Sequence, residues 1–576
     1  MATAMSQSQP IHKTKVFHDV EASMRDGTVL RADLYVPEGD GPFPTVVSRT
    51  PYDKSRPNMI PLYEGLAAAG YAVVPQDIRG RWASDGEFHP MFSEDWTDAE
   101  DGYDTVEWAA AQPWSNGKIG TFGYSYPAWT QWALAPTRPP HLVTMFTGGM
   151  SPRTTDWEIG GVFRPGRALQ WTLGSMAPDT QRFLEEPHGP TTVAEYEHLQ
   201  EHVNREKWLW FLPWKEFPME AIGGLTERFH DWLANHHRDR WHFEDNFEKI
   251  DLPVFYLTGW YDRLVRTVDM FQGMQTKGAT EEARRNQRLV VGPWTHTNDL
   301  ARKTGAVDFG PGAEVVFDSL IIPWFDHWLK GENSGAMDSA PVRLFVMGAN
   351  KWRDEEKWPL SRARPTDYYL RSGGNANTPA GDGSLDVQRP TDEPVDRYAY
   401  DPRDPVMTLY GANGHDEPHD QRVLDHRRDV LVYQTGPLER GIEVTGVPVL
   451  TMFASSTATD TDFTVKLIDV HPDGFSQDLC YSIVRARFRN GFDDPKLMTP
   501  GEVYRFEIDM LPTSNFFRLG HRIRVDISSS DYPNFDRNHN TGRDDWADAE
   551  LRVANQTVLH DAAHPSCITL PVIPEA

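Results

Sequence analysis

Cysteine is almost missing from this chain: two residues in 576, Cys480 and Cys567. Two thiols cannot build a disulfide framework or, alone, a zinc site, so two buried thiols are expected. Basic residues are scarce beside acidic ones, 57 Lys and Arg against 84 Asp and Glu, which gives a net charge of −27 and a pI near 5.2. Nucleic acid requires a basic footprint and is excluded as a partner. No apolar run approaches the ~20 residues needed to span a bilayer. Met1 to Lys15 is polar and lacks the apolar core of a secretory signal. The expectation is a soluble cytoplasmic protein with no membrane contact. What is plentiful is aromatic: 20 Trp, 19 Tyr and 28 Phe suggest broad aromatic-lined surfaces or pockets.

A chain of this length exceeds one compact core, and about three domains is the natural reading. The first third alternates short apolar runs with helical patterns. Thr45–Ser48, Tyr71–Val74 and Ile119–Phe122 read as strands buried on both faces of a parallel sheet, and Asp98 to Gln112 as a helix. From about Gly148 to Ile250 strand-like alternation stops, and Trp208, Trp210, Trp214 and Trp232 fall among helical spacings. It resumes at Val254–Leu257 and Leu289–Val291. A helix is predicted over Ala313 to Lys330, kinked at Pro323 and capped by Gly331. Beyond Pro341 the pattern turns period-two, as in Phe463, Val465, Leu467 and in Ile523, Val525, Ile527. At least eight strands are available there, counting Val342–Phe345. Gly373 to Gly383 reads as a polar loop. The resulting division is 1–147 and 251–340 as two parts of an α/β-hydrolase domain, 148–250 as an inserted helical cap, and 341–576 as a C-terminal jelly-roll β-sandwich.

The most informative stretch is Gly123-Tyr124-Ser125-Tyr126, between a strand and the helical pattern Pro127–Leu134. A serine on a tight strand-to-helix turn is pushed into the open at the sheet's carboxyl edge, with helix amides behind it. The usual pattern is G-x-S-x-G. Here Pro127 takes the last position, which a helix's first turn tolerates. A second match, Gly474-Phe475-Ser476, lies between two strand-like runs and lacks that context.

A serine hydroxyl needs a base, and an imidazole needs a carboxylate to fix its tautomer. In this fold the order is Ser, then Asp or Glu, then His, each after a strand. Asp262 follows Val254–Leu257 and His296 follows Leu289–Val291, both downstream of Ser125. A tetrahedral intermediate needs two donors. The Tyr126 amide is one. The loop Ser48–Lys54 must supply the other; Pro51 has no N–H, and Tyr52 offers a phenol while also reading as an ordinary loop tyrosine. Asp77, Arg79 and Ser84 read as structural ties at the sheet's carboxyl edge.

Five motifs together resemble the family of cocaine-esterase-like and X-prolyl dipeptidyl-peptidase-like serine hydrolases. They are Arg49-x-Pro51-Tyr52-Asp53-Lys54, Gln76-Asp77-x-Arg79-Gly80-x-x-Ala83-Ser84-x-Gly86, Gly123-x-Ser125-Tyr126, Gly259-Trp260-Tyr261-Asp262 and Gly292-Pro293-Trp294-x-His296-x-Asn298. Val342–Gly348 and Asp536–Gly542 match as well. The resemblance implies the triad Ser125, Asp262 and His296, with an oxyanion hole of the Tyr52 hydroxyl and the Tyr126 amide. It also implies a substrate pocket near Trp260, Tyr261, Arg263, Leu264, Leu409 and Tyr410. Where the family carries Gly-Phe after the aspartate, with the ring against a benzoyl group, this chain has Arg263-Leu264. Aliphatic or small acyl esters are therefore expected to be better substrates than benzoyl esters, and an inward Arg263 would favour acyl groups ending in a carboxylate. No metal or cofactor is required, and the partners expected are a small-molecule ester and, at most, a second copy of the chain. The rival from the same family acts on X-prolyl amides or α-amino-acid esters and needs pocket carboxylates, for which Glu158, Glu185 and Glu186 are candidates. A non-catalytic binding protein is the rival from another class.

Overall fold

The apolar runs of the first third form the middle of a ten-stranded sheet. In the computed structural model the described residues are 8–181, 189–199, 208–218, 225–235, 238–296, 300–409 and 417–574. The strands are β1 Thr14–Ser23, β2 Val29–Pro37, β3 Phe43–Thr50, β4 Ala72–Asp77, β5 Ser115–Tyr124, β6 Leu142–Gly148, β7 Val254–Tyr261, β8 Gln287–Thr295, β9 Val342–Val346 and β10 Lys351–Glu355. Their spatial order is β1-β2-β4-β3-β5-β6-β7-β8-β9-β10. From β4 to β9 the neighbours run parallel, and β1, β2 and β10 add antiparallel edges. Helix α1 (Ile60–Ala68) packs into a core with Phe122, Phe146 and Phe255, while α2 (Asp98–Ala110) joins a second core with Ile119 and Tyr256. From β3 the chain leaves to β4, and from β5 it leaves the other way to β6. That reversal opens a crevice beyond the carboxyl ends of β3 and β5.

Two expectations need correction. Val342–Phe345, counted with the jelly roll, lies in the first sheet: β9 pairs in parallel with β8 at Val342↔Leu289. The hydrolase sheet therefore continues to Glu355, past the expected boundary at 340. A short apolar run declares a strand but not its partner. The helix of 313–330 is also shorter. Only Asp318–Phe325 is α-helical, the turn Asp326–Lys330 after Pro323 widens to a π-helix, and Gly331 ends it with φ of +75°.

Residues 149–250 interrupt the sheet between β6 and β7 and, where described, hold short helices and no strand. Their aromatics form a network: Trp157 meets Trp171 and Trp232 edge-on, and Phe92 stacks on Trp232 at 4.6 Å. From Arg364 onward thirteen strands are joined in one hydrogen-bonded array, almost all antiparallel. Val449–Ser456 pairs with Tyr504–Asp509, Ala554–Leu559 and Cys567–Ile573. This domain clamps the cap. Arg164 donates to Asn534 and to the Tyr481 hydroxyl, the Gly166 amide donates to Pro533, and the Trp214 indole to Asp536. Both cysteines are free and buried.

Asp77 ends β4 fully buried. It accepts from the Lys54 amide (2.8 Å) and ammonium (3.1 Å), while the Ser84 hydroxyl donates to its carbonyl. Arg79 pairs with Asp101 at 2.6 Å. Burial, partly opposed by Lys54, pushes the Asp77 carboxyl up to about 6. A raised carboxyl favours the protonated form in the folded state, so folding loses stability as pH rises from the ordinary carboxylate range through 6. Lys54→Met removes the partner and should cost about 3–5 kcal/mol, more at pH 8 than at pH 5. Denaturant melts at both pH values check this; an equal loss at both would refute it.

Candidate active site

Ser125 sits directly after β5 with φ of +65° and ψ of −127°, a conformation rarely adopted outside glycine, and caps helix α3 (Tyr126–Leu134). The turn is tight enough that a Cβ on Gly123 would lie 2.4 Å from the Pro127 side chain. Glycine is thus required at the first motif position, while Pro127 serves as a helix-start residue at the last. Ser476 instead opens a strand of the C-terminal domain.

Asp262 follows β7 and His296 follows β8, and both side chains turn toward Ser125. His296 Nε2 lies 2.9 Å from Ser125 Oγ, and its Nδ1 lies 2.8 Å from Asp262 Oδ1. Asp262 is 1% exposed. Burial alone would raise its carboxyl, but the His296 ring, the Tyr124 hydroxyl and the Leu264 amide together hold it below the ordinary range. It stays ionised wherever the imidazole titrates. The acid limb of activity should therefore be His296 protonation alone, a single ionisation in the pH profile of kcat/KM.

Tyr124 is a site residue that the motifs did not single out. Its hydroxyl donates to Asp262 Oδ2, its ring lies 5.2 Å from that of His296, and Gly148 and Gly149 make room for it. Its position inside Gly123-Tyr124-Ser125 was the available signal, yet its partner is 138 residues away. Tyr124→Phe strips one hydrogen bond from a buried carboxylate and should lower kcat roughly 10-fold, on the ~1.5 kcal/mol such a bond contributes. Stopped-flow or steady-state rates with KM unchanged would agree; an unaltered kcat would not.

Tyr52 follows β3 across the crevice. Its hydroxyl accepts from the Trp171 indole at 2.9 Å and is in contact with Ser125. Burial raises the phenol, so it keeps its proton, and with Trp171 occupying a lone pair that proton is free to point at a developing oxyanion. The Tyr126 amide stands at the first helical position, where an N–H has no intrahelical acceptor. Trp171 itself lies on a π-helical segment, Gln170–Met176, of the cap.

Ser125, His296, Tyr52, Tyr124, Trp171, Arg167 and Arg263 line one cavity of about 960 Å³. Of the expected pocket residues Arg263 is on that wall. Leu264 is not: it is 1% exposed in the core, and its amide serves Asp262. The argument from a lost aromatic face at 264 therefore falls. Trp260, Tyr261 and Leu409 are also absent from this wall. They line a separate cavity of about 30 Å³ behind Asp262, where the Trp260 indole donates to the Phe345 carbonyl and the Tyr261 hydroxyl to that of Asp478. A register break in the β7–β8 pairing between Gly259 and Tyr261 interrupts the strand's alternation, and both adjacent rings meet the domain junction. Tyr410, Asn298, Glu185 and Glu186 lie outside the described residues. Glu158 is buried in the cap but does not line the cavity.

Residues 26–298 match the X-Pro dipeptidyl-peptidase (S15 family) model, and residues 334–569 match the X-Pro dipeptidyl-peptidase C-terminal non-catalytic domain. The chain is 37% identical to the cocaine esterase of Rhodococcus sp. (strain MB1 Bresler) over 97% of its own length and 98% of the relative's. Its fold is that of an aminopeptidase from the marine sediment archaeon Thaumarchaeota archaeon (TM-score 0.77, 25% identity, 99% and 98% of the two chains). An α-amino acid ester hydrolase superposes equally well (TM-score 0.77, 24% identity, 98% of each chain). With a hydrolase sheet, an inserted cap and a C-terminal β-domain in that order, the chain belongs to the cocaine-esterase-like branch of the X-Pro dipeptidyl-peptidase (S15) family and is a hydrolase of the serine-esterase kind.

Proposed function

We propose that this enzyme hydrolyses carboxylic esters through an acyl-enzyme on Ser125. The observation that carries this reading is the continuous relay Asp262 Oδ1–His296 Nδ1 and His296 Nε2–Ser125 Oγ, each link under 3 Å. Ser125 Oγ attacks the ester carbonyl as His296 takes its proton. The carbonyl oxygen, now negative, is met by the Tyr52 hydroxyl and the Tyr126 amide. His296 returns the proton to the leaving alcohol, and the acyl-enzyme forms. Water enters, loses a proton to His296 and releases the acid. Asp262 remains a carboxylate throughout, fixing the tautomer and supporting the imidazolium.

Ester rather than amino-amide chemistry is favoured by the charge of the buried wall. A site for a substrate ammonium needs a buried carboxylate facing it. Among the described residues the acids along this cavity, Asp53, Asp318 and Glu197, are half-buried or exposed, and the buried Glu158 does not line it. Parallel assays on 4-nitrophenyl butyrate and Ala-Pro-4-nitroanilide test the choice. Higher kcat/KM on the ester is expected, and higher kcat/KM on the anilide would reverse it.

A further inference from the structure

Arg167 stands apart among the described cations of this cavity. It sits in the short cap helix Pro165–Leu169, lines the cavity that holds Ser125, and is only 7% exposed. Its guanidinium carbon lies 4.4 Å from the centroid of the Trp157 ring. Among the described residues its buried Nε and Nη1 have no hydrogen-bond partner, and no carboxylate pairs with it.

The other deeply buried arginines nearby are handled differently. Arg81 donates to the carbonyls of Pro51 and Met176, and Arg164 to Asn534 and Tyr481. Arg240 pairs with Asp231 and Glu94, and Arg485 with Asp462 and Asp545. A guanidinium cannot escape burial by losing its proton, and a buried charge without a partner is costly. The Trp157 face offsets part of that cost and leaves the planar fork free for an oxygen pair. Trp171, which holds the Tyr52 hydroxyl, follows four residues later on the same helical run, and its ring and the Arg167 guanidinium both pack on Trp157.

Resting on the esterase reading above, we propose that Arg167 is an anion subsite and that the preferred substrates are esters carrying a carboxylate. One guanidinium fork matches one carboxylate in a bidentate contact. Arg263 and Arg56 on the same wall add positive potential, and Arg263 acts on both Tyr52 and Tyr124. Of the wall's half-buried acids, Asp318 sits against α1, where a Cβ on Gly65 would lie 3.6 Å from it, and Asp53 accepts from the Ser55 amide.

The carboxylate can belong to the acyl part or to the alcohol part, and two ester pairs separate them. Mono-4-nitrophenyl glutarate against 4-nitrophenyl butyrate reads the acyl side; 4-acetoxybenzoate against phenyl acetate reads the leaving-group side. In one pair the charged ester should be favoured in kcat/KM, and Arg167→Met should cut that charged-to-neutral ratio by roughly 10- to 100-fold. Arg167→Lys should recover only part of it, because an ammonium lacks the fork. Free glutarate or benzoate should also compete with the neutral ester in the unaltered enzyme, a readout needing no variant. Ratios unmoved by Arg167→Met in both pairs, with no competition, would overturn the subsite. Ser125→Ala run on the neutral esters keeps the two readings apart: loss of that turnover supports the acyl-enzyme whatever Arg167 does.

Discussion

Ser125→Ala should abolish ester turnover, with kcat falling on the order of 10⁶-fold, and leave the folded protein intact. The hydroxyl faces the cavity and its partner is the His296 ring, so little packing is lost with it. The backbone at 125 carries the positive φ, and alanine bears that strain no better than serine, so a melting temperature within a few degrees is expected. A fluorophosphonate should label the native chain once, and peptide mass spectrometry should find the adduct on the peptide containing Ser125. Residual activity near wild type, or an adduct elsewhere, would remove the serine from the mechanism.

Tyr52→Phe carries the second largest effect. Losing one oxyanion donor costs about 10²–10³-fold in kcat, or roughly 2.7–4 kcal/mol. The ring stays against Tyr126 and under Arg56, so KM should hardly move and the loss should appear in kcat alone. Trp171→Phe should reproduce a smaller part of the effect, since it frees the Tyr52 hydroxyl to rotate without deleting it. A Tyr52→Phe enzyme within a few-fold of wild type would mean that the second donor is another group, most simply a backbone amide of the Ser48–Lys54 loop.

How far the sequence reached follows from the range of each signal. Strand ends are local: a short apolar run followed by a polar residue announces itself, and that pattern alone sets Ser125, Asp262 and His296 after three strands. The elbow was equally local, needing only Gly123 and a helix start. The outer strand β1 escaped because it is largely exposed and offers little apolar alternation. Val342–Val346 was legible as a strand but not as a partner of β8, since pairing is decided between segments fifty residues apart. Trp260 and Tyr261 read as pocket walls from their neighbour Asp262, and the bulge between Gly259 and Tyr261, which no local pattern announces, carries both to the domain junction. Trp171 and Arg167 carry no motif at all. Their meaning arises only when a helical insertion brings them to the wall of the cavity that holds Tyr52 and Ser125, and composition reported nothing beyond an abundance of aromatics.

The clamp on the cap has a consequence for how the protein is made. Arg164 and Asn534 are 370 residues apart, and at about 5–20 residues per second of synthesis the second follows the first by roughly 20–70 s. For that interval the cap is without the Asn534 partner of Arg164. Phe163 and Trp214, buried in the finished molecule, have no C-terminal wall to meet. Any chain stopped before the Pro533–Asp536 segment would lack the Asn534, Pro533 and Asp536 contacts to the cap and keep only earlier ones such as Arg164–Tyr481.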